Sequence, residues 1–105
     1  MKVHYLAAMT LALTVSASAL AEDGQALYKK SGCSACHALN KKNVGPAFTE
    51  VAAKYAGDST AQARLEKKVR SGGAGSFGSM PMPPAPAALS DDSIKTLVAW
   101  ILTQK

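Results

Sequence analysis

Apolar positions along the chain come in short runs separated by glycine- and proline-rich breaks. The clearest run is the last: Ile94, Leu97, Val98, Ile101 and Leu102 follow i, i+3, i+4, i+7, i+8 spacing, one stripe of a helix facing a core. Ser90 supplies an N-cap, and Asp91 and Asp92 fall in the first turn, where carboxylates favour the positive helix end. Trp100 flanks the stripe. Near the other end, Asp23 caps a predicted helix reaching about Ser31, with Gly24, Leu27 and Tyr28 on one side and Gly32 ending it. Phe48 to Tyr55 reads as a short amphipathic helix stopped by Gly57. Ser59 or Thr60 caps a third helix running through Arg70 and ended by Gly72-Gly73. No stretch alternates with period two, so the expected fold class is all-α.

Two stretches do not fit this scheme. Residues 72–88, GGAGSFGSMPMPPAPAA, suit neither helix nor strand. A disordered linker would have to join two domains, and only one helix follows, so an ordered loop wrapped on something is expected. The start, MKVHYLAAMTLALTVSASALA, has a positive Lys2, an apolar run from Leu6 to Val15 and small residues ending in Ala19-Leu20-Ala21. That is the pattern of a secretory signal peptide with an A-x-A cleavage site. The run, roughly 10 residues, is too short for a permanent membrane span. The expected organisation is a cleaved signal at 1–21 and a single domain at 22–105, exported to the periplasm.

Removing the signal sharpens the composition. Of the whole chain's 12 basic residues one leaves with Lys2, so 11 basic and 7 acidic residues remain, a net charge of +4. That balance is modest and scattered, which argues against nucleic acid as a partner. A surface meeting acidic proteins agrees with it better. His37 becomes the only histidine, and Met80 and Met82 the only methionines. A domain this small folds marginally and commonly carries a staple. A Cys33–Cys36 disulfide would close too small a loop to serve.

Residues 33–37, CSACH, hold both cysteines. In a helical turn Cys33 and Cys36 project the same way, and His37 follows four residues after Cys33 on the same face. Two thiols so placed can add across the two vinyl groups of a haem, and the imidazole then becomes a proximal iron ligand. C-x-x-C-H is the attachment motif of c-type haem. A thioredoxin-like couple would need a βαβ context, and structural zinc usually needs four ligands. Covalent haem also resolves the stability problem, since a large flat apolar group becomes part of the core.

A ligand for the other side of the iron is available in the unexplained loop. Lysine is protonated near neutral pH and ligates poorly, which leaves the thioethers of Met80 and Met82. Soft sulfur favours ferrous iron, so His/Met ligation raises the potential. Met82, between Pro81 and Pro83, has the more restricted backbone.

CSACH, KKNVGPAF, VAAKYAG, the PMPP loop and the SDD start of the last helix, taken in order, resemble class I cytochrome c, in particular its small bacterial c-551 (c8) type. The likeness spans nearly all of residues 22–105. It implies four to five short helices wrapped around one covalently attached haem c. Carried over by position, it makes Cys33 and Cys36 the thioether anchors and His37 and Met82 the axial ligands. Pro46 becomes the carbonyl that orients the imidazole, and Met80 a packing residue. Gly24 and Tyr28 would meet Leu97 and Trp100 where the first and last helices cross. Two positions depart from the family: Ala85 stands where an asparagine usually donates to the ligand sulfur, with Pro86-Ala87-Ala88 lengthening the segment. Phe77 stands where a tryptophan is common.

The resemblance implies a monomeric one-electron carrier and not an enzyme. Its donor would be a quinol-oxidising complex or another cytochrome, its acceptor a nitrite reductase or terminal oxidase. Lys29, Lys30, Lys41, Lys42 and Lys54 offer charge for steering partners. A gas sensor or haem enzyme, the alternative, would need Met82 detached from the iron. No stable membrane insertion is expected after cleavage.

Overall fold

The computed structural model describes residues 23–105, so the expected signal peptide lies outside the described residues. Four α-helices follow in order: α1 (Gly24–Lys30), α2 (Phe48–Lys54), α3 (Ala61–Ser71) and α4 (Asp91–Ile101). A single 3₁₀ turn, Cys33–Ala35, lies between α1 and α2. No strand occurs among the described residues, and the nearest approach is an isolated antiparallel bridge between Gly73 and Met82. The fold is all-α, as the periodicity predicts.

The helix α4 is the centre of the molecule. Leu97 and Val98 are fully buried, and Ile94 and Ile101 nearly so. Each such side chain contributes about 1.5–3 kcal/mol by leaving water. Ser90 caps the helix, its Oγ accepting from the Ser93 N–H at 3.1 Å. One side of α4 meets α1 and α2 through Leu27, Phe48, Val51 and Tyr55. The other side meets α3 through Val69.

The helix α1 can approach α4 closely because Gly24 has no side chain: a Cβ there would run into Cβ and Cγ of Trp100. Asp23 caps α1, accepting from the Ala26 N–H at 2.8 Å. Gly32, at φ +83°, then turns the chain into the 3₁₀ turn. The expected crossing of first and last helices is present.

The cap of α3 differs from expectation. Thr60 does occupy the N-cap position, but its side chain accepts no helix N–H. Its hydroxyl and its backbone N–H both donate to Asp58 Oδ1, at 2.7 and 2.8 Å. Asp58 therefore organises the start of α3 from two residues upstream. Gly72, at φ +69°, ends the helix as expected, with α3 reaching one residue past Arg70 to Ser71, and a Cβ there would collide with the Met82 carbonyl.

Candidate functional site

The 3₁₀ turn presents the CSACH residues. The Cys36 and His37 N–H groups both donate to the Cys33 carbonyl, at 3.1 and 2.8 Å, so the turn tightens around one acceptor. The second of these bonds keeps the four-residue relation between Cys33 and His37 that a helix would give. Cys33 and Cys36 are half-buried free thiols. Burial pushes the Cys33 thiol above its ordinary value, against a smaller lowering by its own backbone N–H.

His37 is held by several neighbours. Its Nδ1 lies 2.8 Å from the Pro46 carbonyl oxygen. A carbonyl only accepts, so Nδ1 carries a proton, and in the neutral imidazole Nε2 keeps its lone pair. The ring stacks on Phe48 with centroids 5.0 Å apart and planes 24° from parallel. Tyr28 donates its phenol to the His37 carbonyl at 2.6 Å, and Gly45 N–H donates to the Cys36 carbonyl at 2.7 Å. A Cβ on Gly45 would come within 2.5 Å of the imidazole Cε1, so only glycine admits the ring there.

Cys36, His37, Pro46 and Met82 all line one cavity of about 440 Å³. Cys33 packs against the Leu27–Phe48 cluster beside it. The walls are largely apolar, with Val51, Leu65, Val69 and Ile101 among them, and Lys42 and Lys68 also reach its lining. Such a volume is within the ~300–1,000 Å³ range of sites that enclose a cofactor-sized ligand.

The loop carrying the methionines closes over this cavity. Met82 is half-buried against Val69, Ile94 and Val98. Its N–H and C=O both pair with Gly73, each at 2.9 Å. Met80 lines the same cavity, with much of its side chain exposed. The Gly73 bridge engages Met82 and not Met80. Phe77 packs edge-on to Tyr55 at 6.4 Å. Lys54 Nζ stands 4.4 Å over the Phe77 ring and donates to the Ser76 carbonyl at 2.5 Å, tying the loop to α2.

The donor chemistry suits a haem. One imidazole nitrogen is occupied by protein and the other is free to ligate, two thiols belong to the same turn, and a thioether lines the same apolar space. Among the described residues, no group of three or more His, Cys, Asp or Glu is arranged to hold a bare metal ion. A family model described as Cytochrome c matches residues 21–105.

The chain belongs to the cytochrome c family.

Its relatives narrow the type. Cytochrome c-551 of Pseudomonas aeruginosa is 49% identical over 87 residues, covering 83% of this chain and 82% of that protein. Cytochrome c-551 of Allochromatium vinosum is 52% identical over 94 residues, covering 87% and 94%. The crystal structure of wild-type Nitrosomonas europaea cytochrome c552 superposes with a TM-score of 0.72 at 44% identity, covering 77% of this chain and 99% of that one. The chain is a class I cytochrome c of the c-551 type, with one covalently attached haem c, and it serves as a small electron carrier working with redox proteins. No helix among the described residues is long and apolar enough to cross a membrane.

Within this cytochrome, several contacts escaped sequence reasoning. The Tyr28 phenol, the space at Gly45 and the Lys54 tie to Ser76 each need a partner distant in sequence. Only Gly45 left a trace, inside the Val44-Gly45-Pro46 stretch quoted for the resemblance.

Proposed function

We propose that this cytochrome carries single electrons in the periplasm, with Cys33 and Cys36 as thioether anchors and His37 and Met82 as axial ligands. When bound, the haem supplies an iron that alternates between ferric and ferrous by one electron. The protein's part is to hold its ligands still. Pro46 fixes the imidazole tautomer and points the free Nε2 lone pair away from itself, and an orienting hydrogen bond of this kind raises ligand basicity. Phe48 restrains the ring's rotation. The Gly73 bridge holds the Met82 backbone at both its N–H and its C=O. Apolar walls keep water from the site, which limits rearrangement between the two charge states.

With His37 and Met82 both holding it, the iron would have no open position, so the chain would move electrons and catalyse no reaction of its own. The donor we infer is a quinol-oxidising complex or another cytochrome, and the acceptor a nitrite reductase or a terminal oxidase. The observation carrying this reading is the His37–Pro46 contact beside a cavity that also takes in Met82. The test is a visible spectrum of the exported protein, first oxidised and then reduced with dithionite. Sharp c-type bands on reduction, with the weak far-red band of thioether-bound ferric iron on oxidation, are expected. Haem bands without the far-red band would remove Met82 from the ligand set.

A further inference from the structure

Arg70, in the last turn of α3, reaches across to the segment that joins Met82 to α4. Its Nε and Nη2 meet Asp91 Oδ1 at 3.1 and 2.8 Å. Nη2 also donates to the Leu89 carbonyl at 2.5 Å, and Nη1 to the Pro86 carbonyl at 3.3 Å. These contacts are not equivalent. The Asp91 side chain is 92% exposed, so water and salt screen the ion pair strongly. The arginine side chain is only 33% exposed, and its bonds to the two carbonyls are charge-assisted. The carbonyl contacts are therefore the effective ones.

Apart from the packing of Ala85 and Leu89 on the apolar core, the segment has little else to hold it. Residues 83, 84 and 86 are prolines and have no N–H to donate. The Ala85 N–H donates to the Val69 carbonyl at 2.9 Å, and the Leu89 N–H only closes a local turn onto Pro86. Among the described residues, no backbone hydrogen bond joins Pro86–Leu89 to another element. The alanine at position 85 adds no polar side chain. The arginine fork spans this gap, and the neighbouring Val69 packs with Met82 itself.

We propose that Arg70 is a positioning residue for Met82: its grip on the Pro86 and Leu89 carbonyls keeps the thioether seated. This rests on the reading of Met82 as an axial ligand. Freed from the arginine, the loop would swing from its Gly73 and Val69 ties, and the ligand would leave more often. An outside ligand that binds only when the thioether is away reports that open fraction directly, because its apparent affinity scales with it.

Imidazole added to the ferric holoprotein serves as that probe. In Arg70→Leu its apparent affinity should rise about tenfold, equivalent to ~1.4 kcal/mol. In urea the far-red band should then fade before the helical circular dichroism does. Arg70→Lys keeps a charge and can reach one carbonyl, so it should fall between wild type and Arg70→Leu, and it carries the test alone should the leucine variant fail to accumulate. Asp91→Asn leaves both carbonyl contacts and should stay near wild type. Equal imidazole affinity in wild type, Arg70→Lys and Arg70→Leu, with the far-red band present in all, would overturn the proposal. A wild-type protein lacking the far-red band would instead overturn the Met82 assignment, and this proposal with it.

Discussion

The imidazole of His37 is fixed through three different atoms or faces: Nδ1 by the Pro46 carbonyl, the ring plane by Phe48, and the residue's own carbonyl by Tyr28. Gly45 completes the enclosure by leaving room. Its backbone is not in the left-handed region, so alanine would be tolerated by the chain itself. The cost in Gly45→Ala is steric, because the ring cannot yield while Pro46 and Phe48 hold it. Overpacking of this kind costs about 1–3 kcal/mol. A lowered urea midpoint, measured on the reduced holoprotein, is the expected result, whereas an unchanged midpoint would mean the ring moves freely. At this scale the sequence was readable where neighbours in the chain act together, as in CSACH. The Tyr28 phenol was not readable, since a tyrosine on a helix face gives no sign of where its hydroxyl ends.

Among the elements, α4 was legible almost in full. Its stripe, its Ser90 cap and its acidic first turn are local features that tertiary contacts reinforce. The start of α3 was less so. By residue type Ser59 or Thr60 is the natural cap, but Asp58 takes both donors of Thr60 and leaves that hydroxyl engaged. The Thr60 side-chain and backbone bonds, with a smaller contribution from Arg64, hold the Asp58 carboxyl below its ordinary value. A depressed carboxylate stabilises the fold fully above its unfolded pKa, and that contribution is lost as pH falls through the lower folded value. Asp58→Asn should therefore melt earlier than wild type at neutral pH. The difference should shrink as the pH drops below the ordinary carboxylate range. A gap that stays constant down to strongly acidic pH would show that the charge of Asp58 is irrelevant to α3.

For the whole molecule, the cavity cuts into a core whose two clusters are bridged by Leu65, Leu89 and Leu102. Leu27, Phe48, Val51 and Tyr55 cluster on one side of α4, and Val69, Ile94 and Val98 on the other. Residues of both clusters line the space between. A small domain with its core interrupted in this way depends on what fills the gap. Replacing both anchors, as Cys33→Ser with Cys36→Ser, should yield a colourless chain whose far-UV circular dichroism has lost most of its helical signal. A helical, cooperatively melting protein from that variant would mean the two clusters suffice alone. The sequence pointed to this dependence through chain length and the poor disulfide. It could not give the cavity's walls, which come from helices far apart along the chain.

The contact between Gly24 and Trp100 joins the first described helix to the last. Elements so distant in sequence meet late, because a long loop must close before either gains. During synthesis α1 lacks its main packing partner until the eleven residues of α4 have been made. Through that interval the cysteine turn immediately after α1 stays on an open chain. The order of assembly thus leaves a window in which Cys33 and Cys36 are more reachable than in the finished fold, where both are half-buried.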